Sequence, residues 1–257
     1  MIVLKLGGSA ITEKDRPETL DGRALDRAAD AVAAALERNN GSLADGLVIV
    51  HGGGSFGHHN ASEHGVTTTE GTHDAAAALD VHGAMKTLNG FVLQRLLERD
   101  VQAVPVHPFS TAVRDADGRL DLPTDQVETL VEEGFVPVLH GDLVAHAGAG
   151  ATVVSGDELV AALARELAVD RIGLCSTVPG VLDEADEVID EITTYEDVAA
   201  VLGESDATDV TGGMAAKVRA LLELEGEASI FGLDDLEAFL AGDEPGTTIA
   251  SRAASES

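Results

Sequence analysis

Residues 51–59 read His51-Gly52-Gly53-Gly54-Ser55-Phe56-Gly57-His58-His59, directly after the apolar run Leu47-Val48-Ile49-Val50. A short apolar run bounded by glycines is the pattern of a buried strand, and the glycines free the following backbone to take positive φ. The expected product is a tight loop without side chains whose N–H groups converge on an anion. A helix starting near Ser55 would add its N-terminal dipole to the same attraction. An ordinary strand-to-helix turn needs one or two glycines for steric reasons. Three glycines flanked by histidines exceed that need, and phosphate is the expected guest.

Working outward, residues 2–6 form a second buried strand, broken by Gly7-Gly8-Ser9. Residues 12–22 are polar, contain Pro17 and read as a loop, while residues 23–38 carry Leu25, Ala28, Ala29, Val32 and Leu36 at helical spacing. Strand, loop, helix, strand is a βαβ unit. It puts both glycine loops at strand C-terminal ends, where open α/β sheets hold their ligands. Residues 60–71 are polar, rich in Thr and Gly, and expected to be a mobile loop over the site. A long helix over 73–99 follows, its stripe of Ala77, Val81, Ala84, Met85, Leu88, Val92 and Leu96 expected to be mostly core. Further strands are expected over 101–107, 135–139, 151–154, 171–175, 228–231 and 247–250, with a hairpin turn at 114–119. Helices are expected over 158–167, 195–202 and 214–225, and a disordered tail over 251–257. The alternation predicts one α/β domain over 1–257, a single mostly parallel sheet with two lobes, 1–150 and 151–250.

The composition narrows the function. In 257 residues, 46 acidic against 16 basic side chains give a formal net charge of −30. Such a surface repels nucleic acid and anionic lipid, and no basic patch offsets it. It suits concentrated salt, where the Debye length shrinks to about 3 Å at 1 M. Cys175 is the lone cysteine, no stretch approaches a membrane span, and the N-terminus lacks a basic leader. These features predict a soluble protein of a reducing cytoplasm.

Lysine occurs only at positions 5, 14, 86 and 217. Lys5 lies inside the first strand, where a lysine without a partner is costly to bury. Lys14 follows the first glycine loop, and Lys217 sits one turn beyond Thr211-Gly212-Gly213-Met214; Lys86, in mid-helix, reads as solvated. Lysines and glycine amides converging on one crevice suit phosphoryl transfer, which needs positioning and neutralisation of charge more than covalent chemistry. The Walker A and protein-kinase signatures are absent, and the spacing of His58, His59, His64, His73 and His82 matches no zinc motif. Cys175, in an apolar strand, is read as inert core.

Lys5-Leu6-Gly7-Gly8-Ser9, His51 to His58, Ser155-Gly156-Asp157 and Asp209 to Lys217 together resemble the amino acid kinase superfamily across nearly the whole chain. Within it, H-G-G-G-S-F-G-H is similar to the isopentenyl phosphate kinase branch, with the fosfomycin kinase branch sharing the string. The resemblance implies an open αβα sandwich and usually a homodimer. It implies an N-terminal lobe for the phosphate acceptor and a C-terminal lobe for ATP with Mg²⁺ on its phosphates. Lys5 and Lys217 would hold the ATP phosphates, Lys14 would neutralise the transition state, and Asp157 would orient the lysines. Gly53, Gly54, His58 and Gly156 would bind the acceptor or the transferred phosphate. Gly7, Gly8, Ser9, Gly180, Asp183 and Gly213 would lie near the nucleotide. The family's T-D-V-D-G-V motif stands here as Ser176-Thr177-Val178-Pro179-Gly180-Val181, without either aspartate. The implied reaction is ATP-dependent phosphorylation of isopentenyl phosphate. A kinase for another small phosphate or phosphonate such as fosfomycin, or a nucleotide-binding sensor or storage subunit, are the alternatives.

The charge makes its own prediction. Self-repulsion at −30 destabilises the fold at low ionic strength, so the melting temperature should climb steeply with KCl. A flat profile from low to molar salt would contradict the halophilic reading.

Overall fold

The strand β1 (Ile2–Leu6) sits inside an eight-stranded sheet and pairs in parallel with β2 (Leu47–His51) on one side and β9 (Arg171–Ser176) on the other. The computed structural model describes residues 1–38, 46–199, 213–224 and 226–250. Residues 200–202 of the helix expected over 195–202, Asp209 to Gly212 of the motif before Lys217, and the expected tail 251–257 lie outside the described residues.

The remaining strands are β3 (Ala103–Pro105), β4 (Val113–Arg114), β5 (Leu120–Asp121), β6 (Val136–His140), β7 (Asp142–His146), β8 (Gly150–Val154), β10 (Glu191–Ile192), β11 (Glu227–Gly232) and β12 (Thr247–Ala250). The main sheet runs β10-β12-β11-β9-β1-β2-β6-β3, parallel except where β11 meets β12. Around it pack α1 (Gly8–Ile11), α2 (Gly22–Arg38), α3 (Gly54–Glu63), α4 (Ala75–Leu97), α5 (Pro108–Thr111), α6 (Asp125–Glu132), α7 (Gly156–Glu166), α8 (Gly213–Leu222) and α9 (Leu236–Ala241). The mixed α/β fold and its mostly parallel sheet are those expected from the alternation of elements.

Parallel sheets are buried on both faces because their crossover helices cover both. Period-2 alternation therefore splits β1: Val3 joins the core under α7 and α8, while Leu4 and Leu6 join the core under α2, α4 and α9. Lys5 shares the Val3 face, so its side chain runs toward α7. The β strands carrying the central cores end at one edge of the sheet, where their loops meet.

Several elements differ from expectation. A second sheet, β5-β4-β7-β8, stands apart from the first, so the single-sheet reading is corrected. Its strand β7 follows β6 across Gly141 alone, too short a break to mark a change of sheet in sequence. The loop expected from residue 60 begins later, because α3 continues through Glu63. Asn60 is buried there, its amide donating to the Phe56 carbonyl at 2.9 Å and to Glu18 Oε1 at 2.7 Å. The long helix starts at Ala75, two residues inside its expected limit, because Asp74 caps it by accepting from Ala76 N at 2.8 Å. Helices α1, α5, α6 and α9 are not among the expected elements, and Tyr195–Asp197 forms one 3₁₀ turn.

Candidate active site

The loops leaving β1, β2, β6 and β9 surround one cavity of about 410 Å³. Gly7, Gly8 and Ser9 come from the first, Gly52 and Gly53 from the second, Gly141 from the third, and Ser176 and Thr177 from the fourth. The start of α7 supplies Ser155, Gly156 and Asp157, the first turn of α3 supplies Gly57 and His58, and α8 supplies Lys217. This is the C-terminal edge at which open α/β sheets bind ligands.

Lys5 is only 7% exposed, and its Nζ donates to Asp157 Oδ1 at 2.6 Å. The pair joins the central strand to the first turn of α7. A charge this deep requires a partner, and breaking such a pair leaves the other charge buried. The lysine reaches α7 past Gly156, where a Cβ would stand 3.1 Å from Lys5 Cε. Ser155 caps the helix, its Oγ accepting from Glu158 N at 3.1 Å while Glu158 Oε2 accepts from Ser155 N at 2.9 Å. The Glu158 Oε1 also takes a 2.9 Å bond from Arg114 Nη2, which fastens β4 to this helix start.

Backbone amides gather on the floor of the cavity. A Cβ placed on Gly141 would lie 3.6 Å from Gly156 N and 3.7 Å from Gly53 N. The two amide nitrogens thus border the space beside Gly141, and each stands at the start of a helix of ten or more residues. Helix starts attract anions through unpaired N–H groups and the macrodipole.

Beneath this floor lies a set of histidines. His51 and His140 end β2 and β6, are register partners, and stack with centroids 5.5 Å apart. His140 Nε2 is 2.8 Å from His107 Nδ1, and His82 Nδ1 is 2.9 Å from both carboxylate oxygens of Asp142. Desolvation lowers the His51 pKa to about 4 and holds His140 well below its ordinary value; it also lowers His107, helped by the neighbouring His82.

Of the residues singled out in the sequence, Lys5, Gly7, Gly8, Ser9, Lys14, Gly53, His58, Gly156, Asp157 and Lys217 all line the cavity. Lys14 and His58 are exposed at its mouth. Gly54 is placed behind the wall, where its φ of +48° and the contact with Gly8 demand glycine. Gly180, Asp183 and Gly213 stand off the wall. Gly180 packs where a Cβ would be 2.7 Å from Thr247 Oγ1, and Asp183 Oδ1 accepts from Ala185 N and Glu187 N in its own turn. Cys175 is buried and its thiol pushed up to about 12 by desolvation, consistent with inert core. Of the α4 stripe, Val81 and Met85 reach the cavity, whereas Ala84, Leu88 and Val92 stay in the core. The sequence reading gave no role to Asp142, His107 or His140, and took His51 only as the start of the glycine motif. Its available signal was the repeated strand ending His-Gly, at His51-Gly52 and His140-Gly141.

The amino acid kinase family model matches residues 1–230. An isopentenyl phosphate kinase of Haloferax volcanii is 58% identical over 249 residues, covering 97% of this chain and 98% of that protein. One from Methanocaldococcus jannaschii is 30% identical over 259 residues, covering 97% of this chain and 98% of that protein. A solved structure described as isopentenyl phosphate kinase superposes with a TM-score of 0.82 at 29% identity, covering 97% of this chain and 100% of that chain.

The buried histidines generate a pH prediction. Between pH 4 and the ordinary 6.5, an unfolded His51 binds a proton that the folded one refuses. Stability is therefore fully present above 6.5 and is lost as pH falls toward 4, by on the order of 3 kcal/mol for His51. Urea unfolding in molar KCl, which screens the carboxylates, should show this slope in the wild type and less of it in His51→Asn. An equal slope in both would exclude His51 as its source.

Proposed function

Because the chain belongs to the amino acid kinase family, we propose that it transfers the γ-phosphoryl group of ATP to isopentenyl phosphate, giving isopentenyl diphosphate and ADP. The observation that carries this substrate is that one cavity is lined by both chemistries. Lys5, Lys217, Gly53 and Gly156 line it together with the apolar Ala61, Val81, Met85 and Val153. A charged head and a branched five-carbon tail need both kinds of surface in one cavity. Each CH₂ buried against the apolar part contributes about 0.8 kcal/mol.

In the reaction an oxygen of the acceptor phosphate bonds to the γ-phosphorus. The bond from that phosphorus to the β,γ-bridging oxygen breaks, and ADP leaves with the electron pair. The acceptor oxygen is already ionised near neutral pH, so no general base is called for. The difficulty is repulsion between two polyanions. Lys5, oriented by Asp157, and Lys217 hold the ATP phosphates in this reading, and Lys14 at the mouth meets the group in transfer. His58 donates to the acceptor phosphate, and the Gly53 and Gly156 amides hold the acceptor or the transferred group. The nucleoside would extend from Ser176 and Thr177 toward Gly180, Asp183 and Gly213.

Among the described residues no group of three His, Cys, Asp or Glu side chains is placed to hold a metal ion. The carboxylates on the cavity wall are also engaged, Asp157 by Lys5 and Asp142 by His82. Magnesium accompanying ATP would supply neutralisation of the phosphate charge. No described helix is long and apolar enough to cross a membrane. A cytoplasmic homodimer is the setting we propose, supported by the family and by the exposed Leu79 and Leu97 of α4.

A coupled ADP assay in high KCl tests the substrate. With Mg·ATP, kcat/KM for isopentenyl phosphate should exceed that for fosfomycin by at least about tenfold, with N-acetylglutamate and uridine monophosphate poorer still. Preference for fosfomycin would overturn the assignment. Lys14→Ala should lower kcat far more than either KM, because a charge that meets the phosphoryl group in flight favours the transition state. A raised KM for ATP at unchanged kcat would place Lys14 in ground-state binding instead.

A further inference from the structure

The histidines under the phosphate floor have no part in the reaction as described, yet their hydrogen bonds form a directed set. His51 Nδ1 lies 3.1 Å from the carbonyl oxygen of Gly52. His140 Nδ1 lies 2.9 Å from the carbonyl oxygen of Gly141 and 3.7 Å from Asp142 Oδ2. Those oxygens only accept, so each Nδ1 carries the proton. A neutral ring then leaves Nε2 as an acceptor. His140 Nε2 accordingly accepts from His107 Nδ1. At His51 the Nε2 lies 3.1 Å from Asn89 Oδ1, which cannot donate, while Asn89 Nδ2, on a residue 1% exposed, has no partner among the described residues. Turning the Asn89 amide by half a revolution puts its NH₂ against His51 Nε2 and removes the contact between two acceptors.

We propose that His51 and His140 are positioning residues: as a stacked pair of Nδ1–H imidazoles they fix the Gly52 and Gly141 carbonyls, His51 thereby aiming the Gly53 N–H at the phosphate in the cavity and His140 holding His51 and the Gly141 turn in place. The geometry of one peptide makes the connection. In a trans peptide the C=O and the next N–H point in opposite directions, and the described chain has no cis bond. Holding the Gly52 oxygen toward the buried ring turns the Gly53 N–H the other way, toward the space that Gly53 lines. His140 holds the Gly141 carbonyl and with it the Gly141–Asp142 peptide, which fixes the place of the Gly141 Cα beside the Gly53 and Gly156 amides. Register pairing of the two histidines lets one stacked unit control both loops. Burial keeps both rings neutral; besides each other and the Gly52, Gly141 and Asn89 groups, His140 faces His107 before α5, His82 from α4 and Asp142 at the start of β7, and Lys86 of α4 acts on His107. Asn89 locks the far side of His51.

The inference rests on the kinase reading, and the experiment separates the two. An Asn side chain places its amide near the Nδ1 position of histidine, whereas Gln reaches the Nε2 position and loses Nδ1. Packing alone would favour Gln, which fills the ring volume better. Positioning predicts the reverse order: His51→Gln and His140→Gln should lose about tenfold to hundredfold in kcat/KM for isopentenyl phosphate, and His51→Asn less than about threefold. KM for ATP should change little in any of them, with melting temperatures in molar KCl checked above the assay temperature. Equal losses in Asn and Gln, or retention in Gln, would overturn the proposal. Side-chain ¹⁵N spectra of the wild type at neutral pH need no variant to fold and should show both rings as neutral Nδ1–H tautomers; an Nε2–H tautomer at either would also overturn it. Wild-type enzyme inert toward isopentenyl phosphate would instead refute the substrate, a result visible before any variant is compared and one the spectra do not depend on.

Discussion

The structure depends on the contact between two backbone loops that leave adjacent parallel strands at the same edge. Gly8 follows β1 and Gly52 to Gly54 follow β2, and they approach so closely that no side chain fits between them. A Cβ on Gly8 would collide with Gly54 N, one on Gly52 would stand 2.6 Å from Gly8 N, and one on Gly54 would stand 2.7 Å from the Gly8 oxygen. Thr12 stitches the pair together, its Oγ1 donating to the Gly8 carbonyl at 2.9 Å and accepting from Ser55 N at 3.0 Å. The glycines are thus required twice, for the approach of one loop to the other and for the bare amides that result. A floor made of backbone cannot be screened by its own side chains, and that is what opens it to an anion.

Charge placement follows from that floor. A chain of net charge −30 must hold polyanions, so carboxylates near the site have to be neutralised locally. Asp157 is engaged by Lys5, and Asp142 by His82 and by the Leu143 amide at 2.8 Å. Both carboxylates are therefore held by donors of the fold rather than left as exposed negative charge. Lys5 in turn has its position fixed by strand register: period-2 alternation on β1 gives it one direction, and Gly156 leaves it room to pass. Fixed donors and fixed cations need no reorganisation when charge shifts in a transfer.

The sequence made legible what rests on rare residues and forced conformations. Consecutive glycines after apolar runs located both loops, and scarcity made Lys5, Lys14 and Lys217 conspicuous in an acidic chain. Strand-to-helix alternation gave the main sheet for the same reason, since buried parallel strands are nearly continuous apolar runs. The second sheet was not legible because a single residue, Gly141, separates β6 from β7, and a change of sheet leaves no trace in hydrophobic pattern. Residues 60–63 looked like loop because Asn60 is polar, although its amide is satisfied inside the fold. The histidine floor was hidden for a different reason. Its members lie on β2, α4, β6 and the segment before α5, so the cluster exists only after β2 and β6 pair in register. Val81 and Met85 were indistinguishable from their helical neighbours by spacing, because core and cavity wall want the same apolar surface.

Salt acts on the site and on the surface in opposite senses. At low ionic strength the acidic exterior repels an anionic substrate over tens of ångströms, since the Debye length is about 30 Å at 0.01 M. In concentrated salt it falls to about 3 Å, and this barrier to entry collapses along with the self-repulsion that opposes folding. The same screening weakens exposed cations such as Lys14, yet it scarcely reaches Lys5, which is 7% exposed, or the amides on the cavity floor. In concentrated salt, attraction for phosphate placed in buried lysine, helix starts and backbone would persist, whereas that of an exposed lysine would act only at contact distance. Neutral histidines beneath the floor fit that division: they direct the amides without adding a charge that pH could remove.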